Sequence, residues 1–487
     1  MLLGSPRPSH RSQLIILSCV LVAAFLGLMV YTLDNFFDFN PRDLYSIPSS
    51  WKFKNHGEDS TPASQSSPSA SSTNGFRNGE GKNQESWTDR DREASHLGLQ
   101  DETSSSSTAS KWKFDPARDR FNYSLSDGQC EEAFPDYFYE IERAAAYYED
   151  RPITKEDVDI KERMSVVRAT IYDRQLYIMK SNISHAPANF DFPRTNAILA
   201  SINRAVTAST EPVPDIEFVF KMSDYPGEPA PDWTLCREAE DQAHWVMPDF
   251  GYWAWDNQLL GAYEQYVRGL SDYPSKFSEK KEKALWRGTN SNDERQHLIE
   301  AAEDKPWSDV KAVQWGKPDN FVGISEHCDY QYLIQTEGNT YSGRLKYILN
   351  CASVVLLRPP HWIETFTHLL QPRGSSQNVV EVDGFVNLPE TMSSLLEDPK
   401  KAEQIATNAK DTFADKYLTP AAQACYWRRM FKRWKDVQGF EARPWTMEKK
   451  TVGEGDDKKE VEKKVWHGIT YEVFMLQSHW RKGDYND

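Results

Sequence analysis

Residues 326–358, EHCDYQYLIQTEGNTYSGRLKYILNCASVVLLR, constrain the fold more than any other stretch of the chain. Tyrosines and branched aliphatics over Tyr330–Gln335 predict a strand, and Gly338-Asn339-Thr340 breaks it with turn-forming residues. From Tyr341 the apolar spacing becomes helical, with Leu345, Ile348 and Leu349 on one face. Residues 353–357 are then a short apolar run of the kind buried in a parallel sheet. Strand, helix and strand in this order predict an α/β protein. Ser342, Arg344 and Lys346 fall in or near the first helical turn. Free backbone N–H groups there favour an anion, and a guanidinium can hold phosphate oxygens bidentately. The stretch is read either as a diphosphate pocket or as a solvated basic helix face.

Residues 285–295, LWRGTNSNDER, repeat the strand–turn–helix pattern with Arg287 and Arg295, and Asn292 or Asp293 is placed to cap the helix. Residues 361–366, HWIETF, are expected to open a third helix. Upstream, residues 214–222 alternate like a strand and run into Ser223-Asp224-Tyr225-Pro226. An acid at the carboxyl end of a strand sits where open α/β sheets place ligands, although an Asp before a turn also stabilises that turn. Residues 244–256, HWVMPDFGYWAWD, interleave tryptophans, Phe250 and Tyr252 with Asp249 and Asp256. Aromatic planes pack against sugar CH faces while hydroxyls seek carboxylates. Asp249, Trp253 and Trp255 are therefore read as an acceptor subsite or, alternatively, as a core plug at a domain junction.

RGTNSNDER, EHCDYQYLIQTEGNTYSGRLKYILNCASVVL and WIETFTHLLQP, in this order, resemble the capsule-associated and protein O-glucosyltransferase-like family, glycosyltransferase family 90. The resemblance spans about residues 218–434. It implies two Rossmann-like domains facing a cleft (glycosyltransferase-B type) and an inverting UDP-sugar transferase that needs no metal. Asp224 falls on the family's base in a matching D-Y-P turn, although relatives often carry Arg where this chain has Ser223. Thr289 (usually Ser in the family) and Arg295 fall on diphosphate contacts, as do Ser342 and Arg344. Arg287 and Thr340 belong to the same two loops, and Glu364 falls on the acid expected near the ribose. Cys328 and Cys351 have the family's disulfide spacing; Cys130 with Cys425 is the second expected pair, which leaves Cys236 over.

The ends of the chain are read without the family. Residues 14–31 form an uncharged apolar run of 18, preceded by Arg7 and Arg11 and followed by Asp34 and Asp38. That is near the lower length for a bilayer span, and the charge asymmetry leaves residues 1–13 cytosolic. A cleaved signal peptide would have a shorter apolar region ending in a small-x-small site, so a signal anchor is expected. Residues 32–110 are rich in Ser, Asn, Gly and charge and read as a disordered stem. The expected head comprises an acceptor-side domain, 111–275, and a nucleotide-sugar-binding domain, 276–440. Asn122 and Asn182 open N-x-S/T glycosylation triplets. Residues 441–487 are expected to be a charged tail, loose over 449–464 and partly docked by 466–480.

Net charge of −16 argues against a nucleic-acid partner. His327, His361 and His368 lack metal-ligand spacing, and no cofactor is expected. The reading is a type II Golgi (or endoplasmic reticulum) membrane enzyme with a lumenal head. It would move xylose or glucose from a UDP-sugar to a hydroxyl of a glycan or protein. The alternative is an inactive, membrane-anchored glycan-binding scaffold on the same fold.

Overall fold

The computed structural model describes residues 112–184, 190–256, 260–314, 320–452 and 459–480. The expected span at 14–31, its cytosolic flank and the stem lie outside the described residues. Among the described residues no helix is long and apolar enough to cross a membrane.

The chain is mixed α/β. After α1 (Tyr139–Tyr148), whose Ile141, Ala144, Ala145 and Tyr148 stripe is buried as the spacing predicts, β1 (Val166–Tyr172) and β2 (Gln175–Asn182) form an antiparallel hairpin. Then come α2 (Asp191–Thr207) and β3 (Ile216–Lys221), which lies antiparallel to β1. Three two-residue strands complete a six-stranded sheet in the order Ile469–Thr470, β2, β1, β3, Trp233–Thr234, Trp245–Val246. The second sheet is built from β4 (Lys281–Gly288), β5 (Ser308–Ala312), β6 (Tyr330–Gln335) and β7 (Val354–Leu357), with α3 (Asp293–Ala302) between β4 and β5. With Val380–Glu381 it has the order Val380–Glu381, β7, β6, β4, β5, and every pairing is parallel. Only this sheet has the all-parallel pairing expected of both halves. Every residue of β6 and β7 is buried, as a parallel sheet covered on both faces requires.

Two helices open on side-chain caps, the first at the expected Asn292. Asn292 accepts from Arg295 N at the start of α3, and Asp398 accepts from Lys401 N at the start of α4 (Pro399–Ala409). The last long helix, α5 (Pro420–Val437), returns to the first sheet, where Trp427, Phe431 and Trp434 surround Trp233; Phe218 stacks on Trp233 at 3.8 Å. Both expected disulfides, Cys130–Cys425 and Cys328–Cys351, are formed, and Cys236 is a buried free thiol.

Three expectations are corrected. The helix from Tyr341 shrinks to one turn, Leu345–Ile348, and upstream of it Ser342 O accepts from Gln335 Nε2 and, in a tight i to i+3 turn, from Leu345 N. No helix opens at His361. Trp362–Ile363 instead pairs with Arg237–Glu238 as a short ladder. Within α5 the Arg428 side chain is buried, and its guanidinium donates to Tyr123 O (2.6 Å) and Leu125 O (2.7 Å). The charged tail is ordered as a hairpin of Trp445–Val452 with Lys459–Trp466, and Ile469–Thr470 docks on β2 as expected. Of the two glycosylation triplets, Asn122 is exposed, whereas the Asn182 amide already donates to Ile160 O and Arg163 O.

Candidate active site

Two loops at strand ends build the site. The first follows β3. Pro226 and Gly227 reverse the chain, and Gly227 has φ +84°, a conformation that favours glycine. This turn leaves the Asp224 side chain 44% exposed. Its Oδ1 accepts from Arg194 Nη1 at 2.7 Å, and the same nitrogen donates to Met222 O at 2.9 Å. Tyr225 OH donates to Asn339 O at 3.2 Å, and its ring stands edge-on to Trp362 at 5.9 Å. The turn carrying Asp224 therefore touches the loop that follows β6.

The second wall is basic. Arg295 reaches back from α3, with Nε on Glu337 O (3.1 Å) and Nη1 on Thr289 O (2.9 Å), Thr289 Oγ1 and Ser291 Oγ (both 3.2 Å). Arg344 is half-buried. It donates to Arg287 O, to Gln335 Oε1 (3.2 Å) and to Thr336 Oγ1 (3.3 Å). Both guanidinium groups lie about 6 Å from the ring of Trp286, whose Nε1 donates to Thr336 Oγ1 at 3.1 Å. Gly288 makes room for that indole, since a Cβ there would sit 2.6 Å from Trp286 Cζ2. Neither arginine has a carboxylate partner within ion-pair distance among the described residues. Burial pushes Arg344 down to about 9, and the neighbouring charge of Arg295 acts in the same direction. Two adjacent cations held by neutral oxygens, with no carboxylate in ion-pair contact among the described residues, have the character of an anion site.

Beside them runs a crevice with Gln335, Glu337, Ser342, Trp362 and Glu364 on its walls. Its free volume is about 20 Å³, room for roughly one water. Burial, aided by Asp249 and Glu337, pushes the Glu364 carboxyl well above the usual range, and Lys346 opposes this. Larger cavities exist, one of about 520 Å³ against the Cys328–Cys351 disulfide. Charge rather than volume marks the site.

Several expected site residues have other duties. Arg287 is ion-paired with Asp309 (2.8 Å) and donates to Asn320 O, so its guanidinium does not join the arginine pair. Thr340 is buried against the Cys236 thiol. Asp249 is closed to a sugar: Oδ2 lies 2.7 Å from Lys346 Nζ and Oδ1 accepts from Gly251 N. Lys346 is thus buried in a pair, neither a phosphate ligand nor a solvated face. Trp255 packs on Phe250, whereas Trp253 lines a separate cavity of about 420 Å³ with Arg204 over its ring. Among the described residues no three His, Cys, Asp or Glu are grouped to hold a metal ion.

Arg194 was missed. It lies in the first turn of α2, which begins at Asp191 and tolerates Pro193 there.

The fold and site define an α/β protein with two guanidinium groups gathered at the carboxyl ends of parallel strands and a carboxylate on a strand-end turn of a second sheet. Residues 129–464 match Glycosyl transferase family 90, and the chain belongs to that family. It is similar to the O-glucosyltransferase rumi homolog of Aedes aegypti, 25% identical over 47% of this chain and 64% of that one. O-glucosyltransferase rumi of Drosophila melanogaster is 23% identical over 62% of this chain and 77% of that one. Human Protein O-glucosyltransferase 1 is 26% identical over 47% and 64%. The chain thus spans less than two thirds of the length of the mosquito and human relatives.

Proposed function

We propose that this protein is a glycosyltransferase that moves a sugar, xylose or glucose, from a UDP-sugar to a hydroxyl of a glycan or protein, with inversion. The observation that carries this reading is the pair Arg295 and Arg344, two cations at strand-end loops with no carboxylate in ion-pair contact among the described residues. A nucleoside diphosphate supplies the charge they lack. Asp224 Oδ2, which accepts no hydrogen bond among the described residues, takes the proton of the acceptor hydroxyl. The acceptor oxygen forms its bond to the anomeric carbon from the face opposite the diphosphate. The bond from that carbon to the diphosphate breaks, and its electron pair stays on the leaving phosphate, where the arginines stabilise it. Two fixed guanidinium groups do here the work a metal ion does elsewhere, so no metal is required. Glu364 and Ser342 border the crevice where the nucleoside end would lie, and the Tyr225–Asn339 contact must open to admit it. In this reading the two sheets are the two halves of a glycosyltransferase-B-type enzyme. Residues 14–31 anchor it in a Golgi or endoplasmic reticulum membrane with the head in the lumen.

The test is UDP release by the full-length chain in detergent with a panel of UDP-sugars, with and without chelator, beside Asp224→Asn and Arg344→Ala. Release with one sugar, surviving chelator and lost in both variants, names the donor. No release and no UDP binding would sink the proposal and leave a glycan-binding scaffold on this fold.

A further inference from the structure

We infer that Arg194 is a positioning residue for the transfer, aiming one oxygen of Asp224 at the acceptor hydroxyl by holding the other. The inference rests on the function proposed above. Arg194 comes from α2, not from the turn that carries the acid. A single nitrogen, Nη1, bridges Asp224 Oδ1 (2.7 Å) and Met222 O (2.9 Å), so the carboxylate is tied to the backbone of its own strand end. The guanidinium plane is itself fixed, lying over Phe250 at 4.6 Å and Phe190 at 5.4 Å. Exposure is divided unequally between the partners. The Arg194 side chain is 15% exposed and that of Asp224 44%. In a pair that served packing alone the acid would be covered too, as Asp249 is beneath Lys346. Here the cation is the more covered partner, and Oδ2 accepts no hydrogen bond among the described residues.

In the transfer Arg194 gives and takes no proton. It stops the carboxylate rotating, so that Oδ2 meets the acceptor O–H while the acceptor oxygen bonds to the anomeric carbon and the diphosphate departs. A general base that must find its own orientation loses much of the advantage of being fixed within reach.

The experiment measures kcat, donor KM and UDP affinity in the full-length chain for wild type, Arg194→Ala and Arg194→Lys, using the sugar nucleotide that wild type accepts. The expected result is a fall in kcat of about tenfold to hundredfold in Arg194→Ala. Donor KM and UDP affinity stay within about twofold, because the arginine pair on the other wall is untouched. Low-millimolar guanidinium, below denaturing levels, restores part of the rate in Arg194→Ala and none in Asp224→Asn. Wild-type kcat in a folded Arg194→Ala overturns the inference, as does an equal loss of rate and UDP binding. Should that variant not fold, Arg194→Lys, which keeps the charge and loses the planar fork, carries the test, and wild-type kcat in it overturns the inference. An active wild type with indifferent Arg194 variants sinks this inference alone. A wild type inert on every sugar sinks the proposed function and this inference with it.

Discussion

Lys346 Nζ lies 2.7 Å from Asp249 Oδ2 with both side chains withdrawn from solvent. Lys346 belongs to the one-turn helix below the Arg344 loop and Asp249 caps the Phe250–Tyr252 turn, so this pair joins the basic wall to the aromatic segment. Removing one partner leaves the other charge buried and unpaired. Lys346→Met and Asp249→Leu should each cost about 3–5 kcal/mol, and the double variant should cost less than the sum. A double-mutant cycle by urea unfolding checks this. Additive single costs would show that the two charges do not stabilise each other.

Arg344→Ala should weaken UDP binding about tenfold to a hundredfold, the loss expected for a hydrogen-bonded charge on a charged ligand, about 1.5–3 kcal/mol. Arg344→Lys should recover only part of it, since an ammonium cannot reproduce the fork that spans Gln335 and Thr336. Titration calorimetry with UDP is the measurement, and Arg287→Lys serves as a comparison. That guanidinium is occupied by Asp309, so its effect should fall on stability before affinity.

His327 makes acid stability measurable. It is buried, its Nδ1 lies 2.9 Å from Gly323 O, and burial pushes it down to about 4 from an ordinary 6.5. Between those values the unfolded chain binds a proton that the folded chain refuses. Stability should therefore fall as pH drops through this window, by up to about 3 kcal/mol from this residue. His327→Asn keeps a donor near Nδ1 and cannot charge. Urea midpoints at pH 7 and pH 4.5 should differ less in that variant than in wild type, and an unchanged difference would remove His327 as a cause.

The parts of the fold legible in the sequence are those where one local rule decides. Strands β6 and β7 are buried on both faces and announce themselves as apolar runs, and Asn292 and Asp398 cap helices by side-chain chemistry alone. The β1–β2 hairpin was not legible because its turn uses Asp173 and Arg174 at positive φ (48° and 59°), without the glycine or Asn-Gly that marks such turns. The tail hairpin was hidden for another reason. Its order comes from opposite charges facing across the strands, Glu448 with Lys463 and Lys449 with Glu462, which in one dimension read as a charged run. In the site, Arg295 and Arg344 were legible because each stands at the start of a helix that follows a strand and a turn. The Asp249–Lys346 and Asp224–Arg194 pairs were not, because the partners stand 97 and 30 residues apart and only the fold brings them together.

The Cys328–Cys351 bridge should matter to binding as well as to stability. It closes a segment with a sequence separation of 23, and that segment contains β6, the Gly338 turn, Ser342 and Arg344. Chain entropy alone assigns such a closure about 3 kcal/mol. The fold adds a second restraint, because the buried Lys280 donates from Nζ to Cys328 O (2.5 Å) and Cys351 O (2.7 Å), tying both ends of the loop to the start of β4. Replacing both cysteines by serine should lower the unfolding free energy by about that amount. It should also weaken UDP binding severalfold, since Arg344 would have to be ordered at the moment of binding. Lys280→Met should reproduce part of the affinity loss with the disulfide intact, because the two carbonyls lose their shared donor. Unfolding curves and UDP calorimetry on the three proteins separate the effects. A serine variant that loses stability and keeps full UDP affinity would show that the arginine loop is held by its own contacts and needs no bridge.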